Sequence, residues 1–195
     1  MATIKDYQHK NGSWAKYDSD GNFCNAFQIW QDMQRRCKEG GAHQKIRPTY
    51  VGCSISQEFL EYQFFANWCN RQIGYALQNY QIDKDILHSG NKIYHPDLCA
   101  FVPAALNSFF TFRTKTKESL PHGVHLDSRN KFKVTIRWDG KLKYLARCNT
   151  VEEARQIYKD EKERLCKEWA ERCLDGEFLV DPRVILALQN WKLEE

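Results

Sequence analysis

The segment from Lys131 to Glu153 limits the possible folds most sharply: KFKVTIRW and KLKYLARC flank a single Asp139-Gly140 pair, and TVEE follows. In the first run Phe132, Val134, Ile136 and Trp138 alternate with Lys131, Lys133, Thr135 and Arg137, the period of a strand with one apolar and one cationic face. Asp-Gly between two alternating runs favours a tight hairpin, because both residues tolerate positive φ. A shorter run, His122–Asp127, precedes them across Ser128-Arg129-Asn130 and supplies a third strand. Thr150-Val151-Glu152-Glu153 is a capping box that opens a helix to about Cys173, with Ala154, Ile157, Tyr158, Leu165, Trp169 and Cys173 as its apolar stripe. The expected unit is a three-stranded antiparallel sheet with a helix against one face and bases on the other. A short tail helix is expected over Val184–Trp191.

Charge points the same way. The net charge of +4 conceals a division along the chain. Residues 1–110 hold 11 Lys/Arg against 10 Asp/Glu, residues 111–149 hold 10 against 3, and residues 150–195 hold 8 against 12. A local basic block marks a polyanionic partner better than a total does. Laid in a DNA major groove, such a sheet would neutralise phosphates with Lys131, Lys133, Lys143, Arg137 and Arg147 and bring other side chains to base edges.

The same segment resembles the plant ethylene-response-factor (APETALA-two/ERF-like) DNA-binding domain, which also occurs in phage and bacterial endonucleases. The likeness covers roughly residues 120–173: H-G-V-H where the family has R-G-V-R, then K-F-K-V-T-I-R, G-K-L-K-Y-L and T-x-E-E-A. It implies DNA contacts at His122, His125, Arg129, Thr135, Arg137 and Tyr144. His122 and His125 replace family arginines, so the base readout is expected to differ.

The N-terminal half reads as two helices and a polar stretch. Phe27, Trp30, Met33 and Cys37 recur at helical spacing from an expected cap at Asn25, and Gly40-Gly41 ends the run. Residues 42–52 read as loop. Ser56 should cap a second helix carrying Phe59, Tyr62, Ala66 and Cys69, with Phe64, Phe65 and Trp68 widening its apolar face. From Gln81 to Asn107 the sequence is crowded with polar chemistry: Asp83, Lys84, Asp85, His88, Asn91, His95 and Asn107 around Gly90 and Pro96. An apolar segment ending in acids, a loop, a second apolar run and a helix suggest a β-loop-β-α unit. W-x-x-M-x-x-R-C (30–37) and D-K-D-I-L-x-x-G-N-K-x-Y-x-P-x-x-C-x-F-V-P-x-x-x-N (83–107) resemble phage homing-type HNH (His-Me finger) endonucleases.

That resemblance implies a ββα-metal centre with Asp83, Asp85 and Asn107 as ligands for Mg²⁺ or Mn²⁺, which prefer oxygen donors. Asn91 would orient the loop, and His88 or His95 would act as base, because Lys84 stands where the family has histidine. Leu98 replaces a second family position, an asparagine. Taken singly, each residue has a plainer role: the aspartates flanking a buried strand, the histidines solvated in a loop, Asn107 bridging its helix. Phe109, Phe110 and Phe112 could stack on bases, but core packing is the plainer reading for them too.

The expected architecture is therefore α+β. An HNH-like nuclease domain would occupy 1–110, a basic linker 111–119, and an APETALA-two/ERF-like DNA-binding domain with its tail helix 120–195. The expected activity is metal-dependent hydrolysis of duplex DNA, leaving 5′-phosphate and 3′-hydroxyl ends. The alternative, favoured by Lys84 and Leu98, is a DNA-binding regulator with a decayed metal centre, or a phage protein acting on a host factor. The eight scattered cysteines lack any CxxC, so reduced buried thiols are expected, and a zinc site from Cys37, Cys53, Cys69 and Cys99 has little support. No apolar run is long enough to span a membrane and no secretory signal is visible, so a cytoplasmic location is expected.

Overall fold

A computed structural model describes residues 6–110 and 120–193. The expected basic linker, 111–119, lies outside the described residues, and so does Phe112. The chain forms two compact units, Met1–Pro103 with Leu179–Val184, and Ala104–Phe178 with Ile185–Glu195.

The first unit is built on aromatic packing. Helix α1 (Asn25–Cys37) is followed by the short α2 (Ala42–Ile46), a 3-10 turn (Pro48–Tyr50), strand β1 (Ser54–Ile55), and helices α3 (Gln57–Leu60) and α4 (Tyr62–Cys69). Strands β2 (Tyr80–Asp83), β3 (Ile93–Tyr94) and β4 (Ala100–Pro103) complete it. Pairing is β1 with β3 in parallel and β2 with β4 antiparallel, with Asp83 opposite Ala100. Phe59, Phe65, Trp68 and Phe101 meet edge-on or tilted between α3, α4 and β4, and Phe27 of α1 meets Tyr62 of α4 at 5.2 Å. Fully buried aromatics of this kind remove much apolar area from water and carry most of the unit's stability.

Three local expectations change here. The helix begins at Asn25, but its cap is supplied from a distance: Asp6 Oδ1 accepts the Ala26 amide at 3.2 Å, and no side chain caps from position 24. The helix after Ser56 is broken at Glu61, which is extended (φ −84°, ψ 110°), and the break lets Phe59 and Phe65 enter one core with centroids 4.9 Å apart. Residues 42–50 are helical rather than loop, because buried Gln44 donates to the carbonyls of Arg36 and Tyr50 and ties the segment to α1.

The second unit opens with α5 (Ala104–Phe110). Strands β5 (Val124–Leu126), β6 (Phe132–Trp138) and β7 (Lys141–Cys148) then form one antiparallel sheet in the order β5-β6-β7. Asp139 and Gly140 both take positive φ (48° and 74°), as the hairpin requires. Helix α6 (Val151–Leu174) starts at Thr150, whose Oγ1 accepts the Glu153 amide at 3.2 Å. It buries Ala154, Tyr158, Leu165, Trp169 and Cys173 against the sheet, with Trp138 and Trp169 at 5.7 Å. Gly123 (φ 73°) is needed where β5 passes under the helix, since a Cβ there would lie 2.2 Å from the Tyr158 ring. Helix α7 (Pro182–Asn190) follows, and from Ile185 on it belongs to this unit. Among the described residues no helix is long and apolar enough to cross a membrane.

Candidate functional site

In the polar stretch of the first unit, the strand order places Asp83 at the end of β2, where its carboxylate closes the following turn. Its Oδ1 accepts the amides of Asp85 and Ile86, each at 2.7 Å. Burial raises the Asp83 carboxyl above its ordinary range, and those two amide bonds oppose the rise. Lys84 is only 6% exposed; its Nζ donates to the Asp85 carboxylate and, at 2.8 Å, to the Asn91 carbonyl. Asn91 returns the contact, donating through Nδ2 to the carbonyls of Lys84 and Ile93 at 2.7 and 2.8 Å. Lys84 and Asn91 thus clasp the two ends of the loop from both sides.

The other residues of the stretch make contacts of their own. His88 is exposed, and its carbonyl accepts the Asn91 amide. His95 Nδ1 accepts the Asp97 amide at 3.1 Å, which occupies one of its two ring nitrogens locally. Asn107 lies on α5, within the second unit. Among the described residues, no three His, Cys, Asp or Glu side chains are grouped so as to hold a metal ion. The two amide bonds on Asp83 and the Lys84 bond on Asp85 all use Oδ1, and the Lys84 ammonium sets a positive charge beside Asp85 that repels a second cation there. The cysteines are unpaired thiols, and burial pushes Cys37 up to about 11 and Cys99 up to about 12, so both are protonated at neutral pH.

The sheet of the second unit treats its polar groups differently. Register sets the faces: Lys133 pairs with His125 on one side and Arg147 on the other, Thr135 with Tyr144, and Arg137 with Leu142. Paired residues share a face, so these seven line the face opposite α6. Lys133 Nζ sits 5.9 Å from the centroid of the Tyr144 ring, and Arg137 donates to the Gly140 carbonyl at 2.8 Å, which leaves most of its fork for other acceptors. Arg147 is paired with Asp127 at 2.8 Å. The Asp127 carboxyl is held below its usual range by amide bonds from Lys131 and Arg129, and then by Arg147. Among the described residues no carboxylate is paired with Lys133 or Arg137, so the two present positive charge on an exposed surface.

Other sequence candidates sit off this face or at its margin. Arg129 is exposed in the β5–β6 turn, and Lys131 Nζ donates to Asn149 across the sheet end. His122 is half-buried beside Gly123. Lys143 pairs with Ile136 on the α6 side, with its Nζ 5.9 Å over Trp138. Beyond Tyr144 lies a β-bulge: Val134 faces Ala146 but Thr135 faces Tyr144, so Leu145 is the extra residue, and the reset brings Arg147 to the open face. Thr135, although on the open face, is buried.

Two features were not foreseen. Leu142 (63% exposed) and Tyr144 (58%) stand side by side on the open face; Tyr144 was expected there, Leu142 was not. Counting outward from the Asp139-Gly140 turn, where Lys141 must oppose Trp138, would have found Leu142. The other is Lys162, 2% exposed on α6, whose Nζ donates to the Phe109 carbonyl and lies 3.2 Å from that ring's centroid. Its position four residues after Tyr158 and three before Leu165 was the available signal, a lysine inside an apolar stripe. Phe109 and Phe110 pack on Trp138 and Trp191. The chain matches no family model, and neither the curated proteins nor the solved structures contain a match to it.

Proposed function

We propose that the protein binds duplex DNA through the open face of β5, β6 and β7. The observation that carries this is the composition of that face. Lys133 and Arg137 are exposed and, among the described residues, in no ion pair, while His125 and Arg147 extend the same surface, with Asp127 paired to Arg147. Three strands about 5 Å apart make a layer roughly 10 Å wide, which suits a major groove about 12 Å across. Phosphate neutralisation by exposed cations would supply affinity and a steep salt dependence. Titrating purified protein against a labelled duplex at rising salt tests the reading. Binding that weakens as salt rises supports it, and no measurable binding even at low salt refutes it.

In this reading the first unit does not hydrolyse DNA: β2 and β4 keep a strand–loop–strand order, and Lys84 serves as a clasp of the loop. A second reading, a Mg²⁺- or Mn²⁺-dependent endonuclease of the HNH homing type, is favoured by that chain order and by two aspartates at the end of β2. Incubation of plasmid DNA with either metal distinguishes the two. Metal-dependent cutting that Asp83→Asn abolishes would establish the second reading; asparagine keeps the acceptor that the turn needs, so loss of cutting would not merely report misfolding.

A further inference from the structure

One residue on the open face, Leu142, cannot be accounted for by phosphate binding, and Tyr144 beside it adds an aromatic face. Leu142 and Tyr144 are adjacent same-face positions of β7, both more than half exposed, and each stands directly across from a β6 residue of the same face, Arg137 and Thr135. Leucine offers no hydrogen bond, and placing it directly across from Arg137 on a cationic surface weakens that surface's attraction for phosphate. Leu142 is not serving the sheet either, since its side of β7 is the one α6 leaves uncovered.

We infer that Leu142 and Tyr144 form an apolar reading edge for pyrimidine C5-methyl groups in the major groove, so that the protein prefers thymine-containing duplexes. This rests on the DNA-binding reading above. Among the groups that the four bases present in that groove, the thymine methyl is the apolar one; the others are hydrogen-bond donors and acceptors. Spacing supports two contacts. Same-face residues on a strand recur about every 7 Å. Two base steps also advance about 7 Å along the duplex. Arg137, directly opposite Leu142, and Lys133, against the Tyr144 ring, are placed to hold the flanking phosphates while the apolar pair faces the groove floor. Cytosine methylated at C5 presents the same methyl, so the recognised chemistry is a 5-methylpyrimidine with two sources.

The experiment uses the full chain and four alternating duplex polymers at one low salt concentration: A·T, A·U, G·C and G·C with 5-methylcytosine. Thymine and uracil differ by the methyl alone. Burying one such group is worth about a fourfold change in Kd, and two about fifteenfold. Binding to A·T tighter than to A·U by that margin is expected, with the difference lost in Leu142→Ser and Tyr144→Ala, both substitutions at exposed positions. A matching gain on cytosine methylation assigns the contact to any 5-methylpyrimidine, and its absence assigns it to thymine. Equal affinity for A·T and A·U, with salt-sensitive binding to both, overturns the inference and leaves DNA binding intact. Failure to bind all four polymers removes the DNA-binding reading itself.

Discussion

Lys84 and Lys133 both sit beside strands in polar surroundings, yet the chain uses them in opposite ways. Lys84 is sealed in, with its ammonium held by Asp85 and by the Asn91 carbonyl across the loop. Lys133 is exposed, its ammonium held by no closer partner than the Tyr144 ring at 5.9 Å among the contacts described. The contrast extends to their regions. Around Lys84, Asp83 Oδ1 accepts two backbone amides and Asn91 Nδ2 donates to two backbone carbonyls. On the sheet, Arg137 and Lys133 retain capacity for a partner. A crowd of reactive side chains in sequence is therefore a weaker sign of function than a sparser set left uncommitted.

The largest effect should come from removing the platform of the open face. Gly123→Ala puts a Cβ 2.2 Å from Tyr158 and 2.5 Å from the Thr135 carbonyl at a positive φ. A loss of about 3 kcal/mol or more in urea unfolding is expected, with DNA binding failing alongside. A variant as stable as the parent would mean that β5 and α6 are not packed as described.

A second lysine sharpens the contrast through pH. Burial pushes Lys162 down to about 8, against an ordinary value near 10.5. Between those values the unfolded chain holds the proton and the folded chain does not, so this group's contribution to stability rises with pH across that window. Buried thiols titrate with the opposite sign nearby, so the comparison is with Lys162→Met. The stability of the parent relative to that variant should rise by up to about 3 kcal/mol from pH 8 to 10.5. A constant difference in denaturant midpoints would show that Lys162 is solvated. Lys84→Ala should cost less, about 1–3 kcal/mol, by leaving the Asn91 carbonyl without its buried donor. Its DNA affinity should stay unchanged, and a selective loss of binding would transfer the DNA contact to the first unit.

Much of the second unit was readable in advance because its signals are local. Asp139-Gly140, the alternation of β6 and the Thr150–Glu153 cap each act within a few residues, and β7 runs from Lys141 to Cys148 as expected. What escaped depends on partners far along the chain or on one irregular residue. Asp6 caps α1 from twenty residues away, the break at Glu61 serves a core shared with β4, and the bulge at Leu145 resets the alternation of β7. The polar stretch from Asp83 was legible as composition and as a strand–loop–strand order. That Lys84 would be buried was not, because its carboxylate neighbour and the Asn91 carbonyl come together only when the loop closes.

The most direct measurement is the salt dependence of duplex binding for the parent, Lys133→Ala/Arg137→Ala and Lys84→Ala, in parallel. If the open face grips phosphates, the sheet variant should bind more weakly and its log–log slope should be shallower by about 2, with Lys84→Ala following the parent. An unchanged slope in the sheet variant would contradict the assignment of DNA binding to that face.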